Sequence, residues 1–318
     1  MKKSFYLILV SFMLLRVSVA QSQTTYFLKN NGDYAPSRKA ADFIRIVANR
    51  EGEMGLHPIN EFYLSGSKKS TGHSFRKDPP LYHGQVLSYF ENGATRQVMQ
   101  YEQGTLVDTS MLYYPNGKLY QVVRYSKPGD SSGVYIETIN DSTGIALTTN
   151  GNGNAVVYDS DFKYITAQGN LKDGKYNGEW NGEIRSDDIL RYKEIYEDGK
   201  LLSGESVDKQ GNHYSYTESE VKPAFKDGIK NFYIYVIRSV RYPPQLAMKR
   251  IRGVAQISFI VLPNGKVSDA HAINDVHPAL AAEVIRVLKG AKGWIPGRRK
   301  GRPAAMSFVM PFTFNTAW

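Results

Sequence analysis

The feature that most constrains the fold is a short unit that recurs about every 24 residues in the first two thirds of the chain. Tyr89-Phe90-Glu91-Asn92-Gly93 returns as Tyr113-Tyr114-Pro115-Asn116-Gly117, and Lys172-Asp173-Gly174-Lys175 returns 25 residues later as Glu197-Asp198-Gly199-Lys200. Asn-Gly and Asp-Gly tolerate the positive backbone φ that tight hairpin turns need, so each unit predicts strand, turn and strand. Successive units predict an elongated, mainly β region of stacked hairpins that contact chiefly their neighbours.

These units resemble MORN-type repeats of the YwqK-like variant, and we assign residues 21–222 to them. Residues 26–32 and 60–63 are degenerate early copies, and the polar stretch 126–154 is either a loop or a decayed unit. The 22 tyrosines of the chain could form an exposed face for glycans or proteins. We favour the alternative that the rings of one hairpin stack on those of the next.

Residues 228–318 carry the signals of a complete small domain. Apolar residues at the odd positions of 253–262 predict a strand, Pro263-Asn264-Gly265 a turn, and residues 266–273 an antiparallel return strand. Pro278 suits the first turn of a helix and Gly290 its end. The apolar face of this helix should cover the hairpin; its residues are Leu280, Val284, Ile285 and Leu288.

The last strand is the most regular one in the sequence. Met306, Phe308, Met310, Phe312 and Phe314 alternate with smaller or polar residues. Pro311 interrupts the backbone donors of this segment, because proline has no N–H for a ladder. The strand is therefore predicted to lie at a sheet edge or to carry a bulge.

Five landmarks in order and spacing resemble the C-terminal domain of TonB-type energy transducers. They are Arg241-Tyr242-Pro243-Pro244 with Ala247, Gly253, the turn 263–267, His277-Pro278-Ala279-Leu280 and Trp294-Ile295-Pro296-Gly297. The resemblance implies an α+β domain over residues 223–318, with a three-stranded antiparallel sheet and two helices.

The resemblance also implies a binding function. Such domains dock on the periplasmic side of outer-membrane receptors, where a short receptor segment, the TonB box, adds to the sheet as a strand. Two groups of residues match the binding positions: Arg241, Tyr242 and Pro243, and the strand residues Met306, Ser307, Phe308, Val309 and Met310. Alternatively, Tyr242-Pro243 only ends the preceding segment and begins a helix.

The N-terminus predicts export. Lys2-Lys3 precede an apolar run of about 11 residues, and Ser18-Val19-Ala20 offers a signal peptidase site, so residues 1–20 read as a cleaved signal peptide. A retained membrane anchor is the alternative, but a spanning helix needs about 20 apolar residues. The mature protein is therefore expected in the periplasm.

Charge separates the two regions. Residues 228–318 contain 14 lysines and arginines against three acids, whereas the rest of the chain is nearly neutral. Such a surface favours anionic partners such as peptidoglycan, lipid head groups or acidic receptor loops. The alternative is that Arg298-Arg299-Lys300 is only a solvated loop. A signal peptide argues against nucleic acid as a partner.

Nothing in the sequence predicts catalysis. The chain has no cysteine, which excludes disulfides, thiol nucleophiles and thiolate metal sites. Ser65-Gly66-Ser67-Lys68 matches a serine-x-x-lysine pattern without its companion motifs. The six histidines show no metal-ligand spacing. We therefore predict a binding protein rather than an enzyme, with no metal and no other cofactor.

Two functional classes remain open from the sequence. In one, a TonB-like protein docks outer-membrane receptors and couples transport to an inner-membrane proton-channel complex. In the other, a soluble periplasmic binding or scaffold protein keeps the docking domain and the repeats without energy coupling. The choice depends on the leader, because a cleaved leader cannot anchor force in the inner membrane.

The leader gives a direct prediction. Expressed in a Gram-negative host, the protein should be recovered from the periplasm with Gln21 as its first residue, because the apolar run is too short to be a stable anchor. Intact-mass measurement and N-terminal sequencing check this. A membrane-bound protein that still begins at Met1 would contradict it.

Overall fold

The computed structural model describes residues 23–126, 133–186, 188–249, 252–274 and 276–314. The predicted signal peptide lies outside these residues, as does Asp275 ahead of the predicted helix. The described chain forms a long antiparallel sheet, followed by a smaller region of helices and short sheets. It is mostly β overall.

The first region is one sheet of 16 strands, which we call the repeat sheet. Its strands are β1 (Thr24–Leu28), β2 (Phe43–Val47), β3 (His57–Tyr63), β4 (Lys68–Ser74), β5 (Tyr82–Tyr89), β6 (Thr95–Glu102), β7 (Thr105–Tyr113), β8 (Leu119–Tyr125), β9 (Val134–Asn140), β10 (Ala146–Thr149), β11 (Asn152–Tyr158), β12 (Ile165–Lys172), β13 (Lys175–Arg185), β14 (Ile189–Glu197), β15 (Lys200–Val207) and β16 (His213–Tyr216). They are hydrogen-bonded in sequence order. A short 3₁₀ helix, Arg38–Ala40, lies between β1 and β2. The predicted strand–turn–strand units are thus consecutive hairpins of one meander.

The turn residues of the repeats join one hairpin to the next. Gly93 and Gly117 have φ of 85° and 82°, the left-handed conformation that the turn predicts. The side-chain amide of Asn92 donates to the Pro115 carbonyl at 3.1 Å, and that of Asn116 to the Ser142 carbonyl at 2.9 Å. The asparagine therefore links successive turns as well as shaping its own.

The tyrosines of the repeats pack between hairpins. Tyr114 and Tyr120 are buried with ring centroids 5.1 Å apart. Their hydroxyls donate to main-chain carbonyls further along the sheet, Tyr114 to Asn140 at 2.9 Å and Tyr120 to Val156 at 2.7 Å. For these rings, stacking between hairpins is the role that the structure supports.

The repeat sheet curls along one row of turns. Phe90 lies in the β5–β6 turn and Phe162 in the β11–β12 turn, three hairpins on, yet their ring centroids are 6.1 Å apart. In a flat sheet these turns would be about 29 Å apart, because strands are spaced about 4.8 Å. Contacts between hairpins therefore extend beyond the immediate neighbours that the sequence predicted.

The described residues of the stretch 126–154 form strands of the repeat sheet, as the alternative of a decayed unit predicts. Its described residues include β9, β10 and the start of β11, all paired in the repeat sheet. Ser65-Gly66-Ser67 forms the turn between β3 and β4, where Tyr63 N–H donates to the Ser67 carbonyl at 2.9 Å. The serine-x-x-lysine pattern is therefore part of a hairpin.

The C-terminal region begins at Glu220. Its elements are β17 (Glu220–Val221), β18 (Ala224–Phe225), α1 (Ile229–Ser239), α2 (Pro244–Met248), β19 (Gly253–Val261), β20 (Val267–Ala272), α3 (Pro278–Gly290), β21 (Trp294–Ile295), β22 (Arg298–Arg299), β23 (Arg302–Pro303) and β24 (Met306–Phe314). The main sheet has the antiparallel order β20–β19–β24. The three-stranded sheet, its hairpin and the helix beginning at Pro278 are confirmed.

The core of the C-terminal region lies between this sheet and the helices α1 and α3. Phe232 of α1, Phe259 of β19 and Leu280 of α3 are fully buried. The Trp294 ring contacts Phe232 and Phe259, with centroids 5.0 and 5.6 Å away. The prediction of two helices was incomplete, because the short helix α2 follows Tyr242-Pro243.

Short strand pairs hold the first residues of the C-terminal region to its later part. β17 and β22 pair, and β18 pairs with β21. Phe225 of β18 packs on Phe232 and Trp294. β17 lies before the predicted boundary at residue 223 but bonds to a strand well beyond it. That boundary stays a prediction.

Close packing in the repeat sheet can be tested at Gly169. It pairs with Trp180, and an added Cβ would lie 2.4 Å from the Trp180 ring. We expect Gly169→Ala to lower the free energy of unfolding by about 1–3 kcal/mol, because the buried indole cannot move aside without strain. The control is Gly253→Ala, where the nearest side-chain atom is 3.8 Å away. Chemical denaturation of both variants checks this, and equal stabilities would contradict it.

Candidate functional site

The last strand of the chain has a free edge. β24 pairs with β19 along its whole length, from Val261↔Met306 to Gly253↔Phe314. On its other side no strand of the described residues is bonded to it. The prediction that Pro311 marks an edge strand is confirmed by this position.

The backbone of β19 shows which groups of β24 point outward. Gln256 N–H donates to Asn274 Oδ1 at 2.8 Å, and the Gln256 carbonyl accepts from Ile273 N–H at 2.9 Å. The Val254 carbonyl accepts from Asn274 Nδ2 at 2.8 Å. The N–H and C=O groups of the even-numbered residues of β19 therefore point away from β24, because hydrogen-bonding direction alternates along an antiparallel strand.

In β24, the odd-numbered residues are the ones whose N–H and C=O groups make no bond to β19. Gln256 is paired with Pro311, so this proline sits where no bond to β19 is made and removes no ladder bond. Ser307, Val309 and Thr313 occupy equivalent positions and present both N–H and C=O to the free edge. Three outward donors and four outward acceptors are thus available for an added strand.

Side chains of β24 alternate between core and surface. Met306 and Met310 are buried and Phe308 is partly buried, whereas Ser307 and Val309 are exposed, Val309 by 55%. Of the five predicted binding residues in this strand, three therefore serve the core and bond to β19. Only Ser307 and Val309 face the free edge with their backbone groups.

An apolar groove of about 390 Å³ adjoins the C-terminal half of this edge. One wall is α1, with Tyr233, Val236 and Ile237, and the other is formed by residues 311–314. Ile237 is 53% exposed and Tyr233 is 38% exposed. Large apolar side chains in a groove beside a free edge form a surface suited to a protein partner.

Tyr242 also lines this groove. Its ring packs on Phe314 with a centroid distance of 5.7 Å. Pro243 follows it directly, and α2 begins at Pro244. Tyr242-Pro243 thus has a structural role, as the alternative interpretation held, while also bordering the candidate site.

The segment before Tyr242 is fixed by α3. Glu283 Oε1 accepts from Arg241 N–H at 2.6 Å, and Arg286 Nε donates to Glu283 Oε2 at 2.8 Å. Arg286 also donates to the Ser239 carbonyl at 2.9 Å. The bond from Arg286 is the main cause that lowers the pKa of Glu283. Arg241 is exposed, so its guanidinium lies at the surface near the groove.

The sequence did not predict the α1 wall of the groove. Only Phe232 and Val236 of this helix are buried, whereas its large apolar side chains Ile229, Tyr233, Ile234 and Ile237 are exposed. A helix with more apolar surface than its core needs is the signal that would have indicated a second contact face.

The predicted basic loop is solvated only in part: Arg298 and Arg299 are exposed, whereas Lys300 is mostly buried. Lys300 forms an ion pair with Glu194 at 2.7 Å, and Arg302 with Asp188 at 2.8 Å. Arg299 lies 3.5 Å from Glu220. Three cations of the loop region are therefore held by acids, most closely by those of the repeat sheet.

Within the described ranges, no group of three His, Asp or Glu side chains could hold a metal ion. Among the helices of the described chain, none has the length and apolar character that crossing a membrane requires.

Comparison with known proteins supports the resemblance of the C-terminal region. Residues 238–316 match the family model for the Gram-negative bacterial TonB protein C-terminal. This span includes β19, β20, α3 and β24 and indicates interaction with envelope or receptor proteins in general. The hairpin repeats are matched by no family model, so their resemblance to MORN-type repeats stays a prediction. No curated protein matches the chain.

The backbone pattern of β24 predicts an alternation in amide exchange. Amides of Phe308, Met310 and Phe312 bond to β19 and should exchange on the order of 100-fold more slowly than those of Val309 and Thr313. Hydrogen exchange followed by NMR measures this residue by residue. The internal control is β19, where Ile257 and Ser258 are paired on both sides and should show no such alternation. Protection of Val309 equal to that of Met310 would contradict the free edge.

Proposed function

We propose that the C-terminal region binds an extended segment of an envelope protein, which adds as a strand to the free edge of β24. The observation that carries the proposal is the row of outward N–H and C=O groups at Ser307, Val309 and Thr313. Strand addition takes its affinity from such main-chain bonds.

The groove suggests how one peptide is preferred over another. In an added strand, every second side chain points to the helix side of the sheet. Beside residues 311–314 those side chains would meet Tyr233 and Ile237 of α1. Apolar residues at alternate positions of the partner would then bury surface that is now exposed.

The match to the TonB C-terminal family supports a specific partner class. We propose that the bound segment is the periplasmic N-terminal segment of an outer-membrane receptor and that the protein works in the periplasm. Energy-coupled transport and docking without coupling share this binding step. The strand addition is therefore the step that an experiment tests first.

The test uses a substitution that removes one outward donor. Val309→Pro keeps the ladder to β19, because the Val309 N–H points away from it, but deletes a bond to the added strand. We expect peptide affinity to fall about tenfold, the effect of losing one hydrogen bond and of the ring's bulk. Val309→Ala is the matched control and should bind like the natural protein, since side chains at this position contribute little.

Titration by NMR with receptor N-terminal segments measures this. Adding peptide should change the amide chemical shifts of residues 307–313 in the natural protein and in the alanine variant. Unchanged chemical shifts of the β19 amides in the proline variant show that its fold is intact. If no peptide shifts the amides of 307–313, or if Val309→Pro binds as well as Val309→Ala, the proposed docking edge is wrong.

A further inference from the structure

The tip of the β22–β23 hairpin is buried in the end of the repeat sheet. Lys300 Nζ lies 2.7 Å from Glu194 Oε1, and Glu194 is only 2% exposed. The ammonium also lies 4.1 Å from the centroid of the Tyr192 ring. A cation held between a buried carboxylate and an aromatic face is well stabilised only while both stay in place.

The remaining oxygen positions of Glu194 are filled by hydroxyls. Tyr216 donates to Glu194 Oε1 and Tyr196 to Oε2, each at 3.0 Å. Burial raises the pKa of Tyr216, so its hydroxyl stays protonated and keeps donating. Glu194, Tyr192, Tyr196 and Tyr216, which we call the Glu194 cage, belong to β14 and β16. The cage is therefore built by the repeat sheet and filled by the C-terminal region.

The main chain at the tip of the hairpin is hydrogen-bonded as well. Ser206 Oγ donates to the Lys300 carbonyl at 2.6 Å, and Lys300 N–H donates to the Ser219 carbonyl at 2.7 Å. Gly301 has φ of 76°, and a Cβ there would lie 3.0 Å from Tyr214 Cβ. This close approach places the hairpin tip against β16, the last strand of the repeat sheet.

A second ion pair fixes the direction of the hairpin. Both terminal nitrogens of Arg302 donate to the two oxygens of Asp188, at 2.8 and 2.9 Å. A two-bonded guanidinium–carboxylate pair restricts orientation as well as distance. β24 begins at Met306, four residues after Arg302. Only residues 303–305 therefore separate Arg302, which is bound to the repeat sheet, from the start of the candidate binding strand.

We propose that the β22–β23 hairpin is a latch that locks the C-terminal region to β14–β16, so that the repeat sheet acts as a rigid stem that sets the direction of the free edge of β24. The latch gives the repeats a function within the molecule. It does not require that any peptide binds to β24, and its test is independent of peptide binding.

The test measures how the two regions are placed relative to each other. The full-length protein has no cysteine, so Lys200→Cys and Lys292→Cys, both at exposed positions, introduce one spin label in each region. Double electron–electron resonance should give a narrow distance distribution. Lys300→Met and Arg302→Gln should each broaden it by about twofold or more, because the hairpin leaves the cage.

Arg298→Gln is the matched control. It makes the same change as Arg302→Gln in the same hairpin, but at an exposed side chain, and should leave the distribution narrow. A broad distribution in the parent protein, or a narrow one in both Lys300→Met and Arg302→Gln, overturns the latch. Hydrogen exchange of β14 and β19 shows whether each variant is folded. If Lys300→Met does not fold, Arg302→Gln decides, because its ion pair is less buried.

A rescue experiment separates the pair from general destabilisation. Lys300→Met leaves a buried, unpaired Glu194 and should lower exchange protection of the residue 300 amide about 100-fold. Adding Glu194→Met replaces the pair with apolar side chains and should restore most of that protection. Equal loss in the single and double variants would show that the uncompensated Glu194 carboxylate is not the cause of the loss.

Discussion

An unpaired strand edge is the constraint on which the rest of this structure depends, because exposed N–H and C=O groups will pair with whatever strand reaches them. The repeat sheet ends at β16, and there Gly301 brings the hairpin tip against Tyr214. The small sheet ends at β20 and at β24. On β20, His271 lies 3.6 Å from Asp33 in the first turn of the repeats. The β24 edge stays open beside an apolar groove, and this is why we assign binding to it.

The cations of the C-terminal region fall into two groups, those held in ion pairs and those exposed at the surface. The excess of cations in the C-terminal region suggested a patch for anionic partners. Lys300 and Arg302 are instead held by acids of the repeat sheet, and Arg286 is held by Glu283. A lysine in the Glu194 cage contributes little field at the surface, because its partner carboxylate is next to it. Other cations of the region, such as Arg241 and Arg298, are exposed at its surface.

Local patterns in the sequence predicted much of the architecture. The Asn-Gly turns at 92–93 and 116–117 predicted hairpins, and residues 306–314 predicted a strand with one buried face. These inferences succeed because turn conformation and strand alternation depend on residues close in sequence. The curl of the repeat sheet was not predictable, since the contact of Phe90 with Phe162 joins residues 72 positions apart. The helix α2 was anticipated only as an alternative reading of Tyr242-Pro243, because five residues carry too little periodicity.

For the candidate site, the sequence by itself limited β24 to an edge strand or a bulged strand, because Pro311 cannot serve an interior ladder. It also determined which of its side chains enter the core. Only the tertiary structure decided which backbone groups face outward, that α1 forms a groove with residues 311–314, and that Lys300 fills the Glu194 cage. Lys300 and Glu194 are 106 residues apart in the chain, and a charge pattern cannot show which distant acid folding will bring to a given lysine.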